Sequence, residues 1–559
     1  MRKQKIRYSE IIPRTKQWPI VQLAKNRKSF KQEVTNESFE TLKKFTRGRS
    51  LREELEMTVY REKLRIKNNP WRVDPQDDQA FWQNIQRNLA ESQNLEPNLA
   101  KDKEEEILRQ ILDRYAEEIA GNFKKTSFKF AKTIVTFGFA RLLNAARGVK
   151  GIMSLFSRQL DLDDKIHIKG EPEHIRALAK IGTVVMVPTH FSNLDSILIG
   201  WVIQFLGLPA FIYGAGLNLF NLKIFAYFMN SLGAYKVDRR KKNPIYLEAL
   251  KTYSSLALRK GCHSLFFPGG TRSRSGHIEK SLKLGLLGTA VEAQRILYQN
   301  ETADEPARKI FIVPVVLNYH FTLEAPALIN DHLKITGQER YYKERDEFTT
   351  SYKISTFLFK FFTKGSDISV SIGKGLDIMG NYVDMDGNSL DANGNIIDPR
   401  DYFRRDGKIS VDEQREEEYV RILAKRIVVE YHKYNRVFAS HLVAFTAFKY
   451  LERKNPKLDL YSLLRLPDED LIIDYADFKL AYKKLKKKVL KMHKKGAVDV
   501  AGHMLEKAEF SIDLGIDNVG MYHAERPLIK RDDKIIIQNM NTLYYYHNRM
   551  DGYGLDKRI

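Results

Sequence analysis

The sequence predicts an α/β protein: a domain built on a largely parallel sheet flanked by helices, with helical regions on its N-terminal and C-terminal sides. Three observations carry this. Between about 166 and 375, the apolar runs "TVVMVP", "AFIYGAG", "HSLFFP" and "IFIVPVVL" alternate with helical stretches, as in strands joined by crossover helices. The flanking segments are charged and helical in spacing. A length of 559 residues also exceeds the usual span of one core, so several structural regions are expected.

Residues 1–118 read as an N-terminal helical region, with "NNPWRVDPQDDQ" around Pro70 and Pro75 as a loop. No chemistry shows there. Its start carries the charges of a signal peptide without the apolar stretch or cleavage site, so secretion is not expected. Residues 119–165 are basic and apolar together. No acidic residue occurs between Ile119 and Leu160, while Lys124, Lys125, Lys129, Lys132 and Arg141 alternate with Phe123, Phe128, Phe130 and Phe137. Helices docked on an anionic membrane have this composition, as does a helical pair packed on the main domain with a solvated basic face.

Residues 166–375 form the expected α/β domain. Within it, Ser196 to Leu222 is uncharged and long enough to span a bilayer. Gly207, Pro209, Gly214 and Gly216 interrupt it, and a buried helix followed by a strand accounts for the same run. Residues 376–410 read as a hairpin-like insertion, with Asp386-Gly387 and Asn393-Gly394 as turn pairs. A calcium loop is excluded, because neither Asp384 nor Asp391 is followed by Gly at the sixth and Glu at the twelfth place. Residues 411–559 read as a C-terminal helical region. There Phe478, Tyr482, Leu485, Val489 and Met492 keep helical spacing among nine lysines, which suits a basic amphipathic helix or an ordinary surface helix.

Charge narrows the partners. Lys plus Arg number 93 against 70 for Asp plus Glu, a net charge of +23, which favours anionic partners. The single cysteine, Cys262, excludes internal disulfides and Cys-based zinc sites, and suits a reducing compartment. Among anionic partners nucleic acid is not expected, since zinc-finger and RNA-recognition signatures are lacking. A hydrolase would want G-x-S-x-G or H-E-x-x-H, and neither occurs.

Two clusters remain as candidate chemistry. "VPTHFSNLDS" places His190 at the carboxyl end of a strand, where ligands bind in such sheets. A helix starting near Ser192 would make Ser192-x-x-Asp195 a capping box, and the same carboxylate can reach back to orient the imidazole. "FFPGGTRSRSG" ends a strand in a glycine turn and then offers Thr271, Arg272, Ser273 and Arg274, hydroxyls and guanidiniums suited to phosphate oxygens. It is not a nucleotide P-loop, for G-x-x-x-x-G-K-S/T is absent.

Together with "GAYKVDRR" and "VPVV", these segments resemble, in order, the glycerophospholipid acyltransferase superfamily, and within it the glycerol-3-phosphate acyltransferases. H-x-x-x-x-D is matched by His190 and Asp195; G-A/G-F/Y-x-x-x-R by Gly233, Ala234, Tyr235 and Arg239. F-x-E-G-x-R-S-R is matched by Phe267, Gly270, Arg272, Ser273 and Arg274, and the V-P-V strand by Val313, Pro314 and Val315. "YGAGLNL", which contains Asn218, and the late "LYYYHN" are similar to further segments of those enzymes.

The resemblance implies an acyltransferase domain in which His190 and Asp195 are catalytic. Arg239, Gly270, Thr271, Arg272, Ser273, Arg274, Asn218 and Pro314 would bind substrate. It implies no metal and no cofactor beyond the co-substrate, acyl-CoA or acyl-ACP. The expected acceptor is a phosphorylated glycerol: glycerol 3-phosphate at its sn-1 hydroxyl, or else lysophosphatidate or dihydroxyacetone phosphate. A non-catalytic lipid-binding relative is the further alternative. The expected place is the cytoplasmic face of an anionic membrane, peripheral or monotopic. One departure stands out: Gly269 occupies the position of the motif's usual Glu, so a neighbouring acid compensates or turnover is reduced.

Overall fold

The computed structural model describes residues 8–44, 50–124, 166–217, 233–336 and 368–556. The basic segment expected to dock on membranes lies outside them from residue 125 to 165, and so does Asn218.

Seven strands form the central sheet: β1 (Ile166–Gly170), β2 (Thr183–Pro188), β3 (Ile212–Gly216), β4 (Ala234–Val237), β5 (Ser264–Leu265), β6 (Ile310–Tyr319) and β7 (Ile368–Ile372). Their order is β1-β7-β6-β2-β5-β3-β4. Only the β6–β7 pair is antiparallel, so the predicted largely parallel sheet is found. β2 and β6 are buried at every position, which is why they read as continuous apolar runs.

The uncharged run after Asp195 resolves into the helix Asp195–Phe205 followed by β3. Among the described residues no helix is long and apolar enough to cross a membrane.

Two hydrophobic cores organise the rest. The five N-terminal helices and one face of the helix Pro244–Arg259 share the first, with Trp82, Ile111, Tyr115, Tyr246 and Tyr253 inside. The second runs without a break from the sheet into the C-terminal helices, through Val187, Val313, Leu423, Tyr431, Phe445 and Leu543. The C-terminal region, expected as a separate zone, is therefore packed into the core of the α/β domain. Its lysine-rich helix, Tyr475–Lys494, buries Phe478, Tyr482, Leu485 and Val489 against the helices Ala439–Lys454 and Ala508–Asn518. That apolar face is occupied by protein.

Asp386-Gly387 and Asn393-Gly394 lie in loops that join antiparallel strands, as expected of hairpin turn pairs; each loop has five residues, and the pattern repeats at seven-residue steps from Asp377, Asp384 and Asp391. In each loop the aspartate Oδ1 accepts from the main-chain N–H two and four residues on, and Oδ2 accepts from an Asn Nδ2 at 3.0 Å. The aspartate thus closes its own turn. Short antiparallel strands, Tyr382–Val383, Ser389–Leu390 and Ile396–Ile397, separate the loops.

Candidate active site

β2 delivers His190. The residue after the strand is pinned to β6, with Thr189 N–H donating to the Val315 carbonyl at 3.0 Å and the Leu317 N–H donating to Thr189 Oγ1 at 3.1 Å. The imidazole Nδ1 lies 2.8 Å from Asp195 Oδ2. Asp195 is fully buried, whereas His190 keeps 17% of its side chain exposed.

Four donors converge on that carboxylate. Oδ2 accepts the N–H of Phe191 at 2.6 Å and of Ser192 at 2.9 Å besides the imidazole, and Oδ1 accepts the hydroxyl of Tyr319. A carboxylate so surrounded acts as acceptor, so the imidazole proton sits on Nδ1 and Nε2 keeps its lone pair. This is also why the helix begins at Asp195 and not near Ser192, as the sequence suggested. The carboxylate is drawn back over residues 190–192, while Ser192 Oγ accepts from Leu194 N–H at 3.2 Å. Half of the expected capping box is kept, the bond from Ser192 N–H to Asp195.

Phe267 fixes the other face of the ring, stacked on His190 with centroids 4.1 Å apart. Beyond it, Gly270 at φ +78° turns the chain after β5, a conformation a side chain would strain. The loop then returns to the imidazole: Ser273 N–H donates to the His190 carbonyl at 2.7 Å.

A cavity of about 530 Å³ opens along this loop, lined by Thr271, Arg272, Ser273, Arg274, Lys283 and His332 among others. His190 adjoins it through Ser273 and through Glu279, a lining residue whose Oε1 accepts the His190 N–H at 3.1 Å. Hydroxyls and cations of this kind can hold a phosphate group. Glu324, buried behind the loop, lies 3.6 Å from Arg272 and accepts from Asn193 N–H at 2.9 Å. Burial raises its carboxyl above the usual range.

The remaining predicted site residues lie elsewhere. Pro314 is buried within β6, in register with Val187, and does not line the cavity. Arg239 is exposed just after β4, at the sheet edge and two strands from β5. The structure places it at the same carboxyl end of the sheet but outside the cavity lining. Cys262 is buried, and burial pushes its thiol up to about 12.

Sequence reasoning missed several contributors. The N-terminal region, where no chemistry was visible, holds the chain around Arg239. Arg240 pairs with Asp74 and Asp238 and stacks 3.9 Å over Trp71, Lys241 pairs with Glu118, and Asn243 Nδ2 donates to Glu62 at 3.0 Å. The C-terminal segment grips the 270–280 loop. Asn548 Nδ2 donates to the Ser275 carbonyl at 2.8 Å, and Asp551 meets His277 and Lys280 at 3.1 and 2.9 Å. Arg549 lies 3.7 Å over the Phe191 ring and donates to Asn318 Oδ1 at 2.7 Å. "LYYYHN" was the one signal for this contact, and its partner was not readable.

Residues 168–318 match the sequence model of the Acyltransferase family. A glycerol-3-phosphate acyltransferase of Aeromonas hydrophila subsp. hydrophila is 32% identical over 170 residues, covering 30% of this chain and 20% of that protein. Those of Pseudomonas fluorescens and Shewanella putrefaciens are 26% and 25% identical over 43% and 44% of this chain, and 24% and 26% of their own length. The chain thus spans about a quarter or less of the curated relatives it matches. The crystal structure of the 1-acyl-sn-glycerophosphate (LPA) acyltransferase PlsC from Thermotoga maritima shares 13% identity at a TM-score of 0.24, over 54% of this chain and 92% of that one. That likeness is too slight to bear on fold or activity. His190, Asp195, Arg239, the 270–274 loop and Pro314 all fall inside the residues that match the Acyltransferase family, so the likeness covers the α/β domain and the candidate site within it.

Proposed function

We propose that the protein transfers a long-chain acyl group from a thioester, acyl-CoA or acyl-ACP, to the sn-1 hydroxyl of glycerol 3-phosphate. The observation that carries this is the 2.7 Å bond from Ser273 N–H to the His190 carbonyl, which sets an oriented base beside a loop of two arginines. Glycerol 3-phosphate needs that pairing, an anion site next to a group that removes a hydroxyl proton. The similarity to glycerol-3-phosphate acyltransferases supports the choice of acceptor.

In this reading Arg272 and Arg274 hold the phosphate, and His190 Nε2 takes the hydroxyl proton as the oxygen attacks the thioester carbon. The imidazolium formed is stabilised by Asp195 across 2.8 Å. Collapse of the tetrahedral intermediate breaks the C–S bond, and the imidazolium returns its proton to the leaving thiolate. No acyl-enzyme forms, and no metal or further cofactor takes part. Arg239 extends the anion site from the sheet edge, and the resemblance alone makes Asn218 a further substrate-binding residue.

The net charge of +23 supports work on an anionic membrane surface. Salt-sensitive binding to anionic liposomes, with no comparable binding to duplex DNA, is expected.

The test is purified protein with liposomes, labelled glycerol 3-phosphate and a long-chain acyl thioester, run beside lysophosphatidate and dihydroxyacetone phosphate. Product esterified at the sn-1 position of glycerol 3-phosphate is expected. Turnover confined to another acceptor would reassign the substrate. No turnover with any phosphorylated acceptor would favour a lipid-binding role.

A further inference from the structure

The geometry points to Glu279 as the positioning residue for His190, a carboxylate that stands in space where a side chain at position 269 would otherwise stand. This rests on the acyltransferase reading of the site. Gly269 does not have a positive φ, so its backbone would accept any L-residue. What limits it is its neighbour: a Cβ built there would lie 3.1 Å from both Cγ and Oε1 of Glu279 and 3.6 Å from its Cδ. The two positions compete for one volume.

The carboxylate in that volume has a specific task. Glu279 Oε1 accepts the N–H of His190 at 3.1 Å, one residue beyond the pinned Thr189. The same residue lines the cavity of the arginine loop. It therefore braces the main chain that carries the imidazole, while Asp195 holds Nδ1. Its Oε2 is enclosed and has no hydrogen-bond partner among the described residues, and burial pushes the carboxyl up to about 7 despite the nearby Arg549. A group kept at that cost, when an apolar residue would fill the space, is kept for the bond it makes. The sequence then has a consistent explanation: the missing Glu at 269 and the Glu at 279 are one exchange, a carboxylate delivered from a later point in the same loop.

The test moves the carboxylate. E279Q, E279A and the double variant G269E/E279A are compared with the parent for kcat, for KM of glycerol 3-phosphate, and for circular dichroism and Tm. E279A should lose roughly tenfold or more in kcat with KM changed less than about threefold, as a misaimed base would. E279Q should keep most of the activity, because its amide oxygen accepts the same N–H. G269E/E279A should regain most of the lost kcat, since the volume facing position 269 is then open. A folded E279A with the parent's kcat overturns the proposal, as does a folded double variant no more active than E279A. If E279A fails to fold, the double variant decides: fold and turnover recovered together support the exchange, and an unfolded double variant rejects it. A parent inactive with every phosphorylated acceptor would remove the reaction assignment instead. The packing exchange would then be read from Tm, with E279A lowered and the double variant restored.

Discussion

Ser273 donates its main-chain N–H to the carbonyl oxygen of His190 across 2.7 Å. Two loops distant in sequence are thereby locked into one wall, and the cations at 272 and 274 keep a fixed place relative to the imidazole. Arg272→Ala should therefore raise KM for glycerol 3-phosphate about tenfold or more, with KM for the thioester little changed. Steady-state kinetics with each substrate varied in turn checks this.

Asp195 should act through its charge and its aim. Asp195→Asn removes the carboxylate that fixes the imidazole tautomer, and kcat should fall at least about a hundredfold. Tyr319→Phe deletes one of the four donors to that carboxylate. A fall of roughly tenfold in kcat with KM unchanged is expected, measured with both variants shown to be folded.

The C-terminal grip should be needed for the site to assemble. Gly276 sits at φ +82°, and a Cβ there would lie 2.2 Å from the Tyr545 carbonyl oxygen. Gly276→Ala should destabilise the protein by about 2–4 kcal/mol through strain and overlap together. It should also lower activity by freeing the loop. Denaturant unfolding and limited proteolysis of the 270–280 loop measure the two effects.

Stability should fall in mild acid. His441 is buried, its Nε2 lies 3.0 Å from the Tyr319 carbonyl, and burial, reinforced by Arg549, pushes its imidazole down to about 3. Its folded value is thus below the unfolded 6.5, so its contribution is complete above pH 6.5 and is lost as pH falls toward 3. The loss is about 1.4 kcal/mol per pH unit within that window. Unfolding free energies at pH 7.5 and 5.5 should show it, and His441→Gln should remove about one proton's share of the slope.

The sheet was legible because its strands are buried on both faces and read as unbroken apolar runs. His190 and Asp195 were legible because a helix start and a strand end need few residues to specify them. The contacts that complete the site were not. Tyr319 and Glu324 reach it from 124 and 132 residues away in sequence, and Arg549, which covers Phe191, is bonded to Asn318 across 231 residues; nothing local in a chain encodes such a pairing. The N-terminal region hid its part for a related reason: Asp74 lies in a loop that reads as a linker, and its ion pairs with Arg65 and Arg240 show what it holds. Glu279 was the hardest, for its meaning appears only beside the empty position at 269.

The central claim is that the His190 imidazole is the base. Initial rates of acyl transfer to labelled glycerol 3-phosphate, parent beside His190→Ala with both shown to be folded, measure it most directly. A loss of at least about a hundredfold in the variant is expected, and equal rates would contradict the mechanism outright.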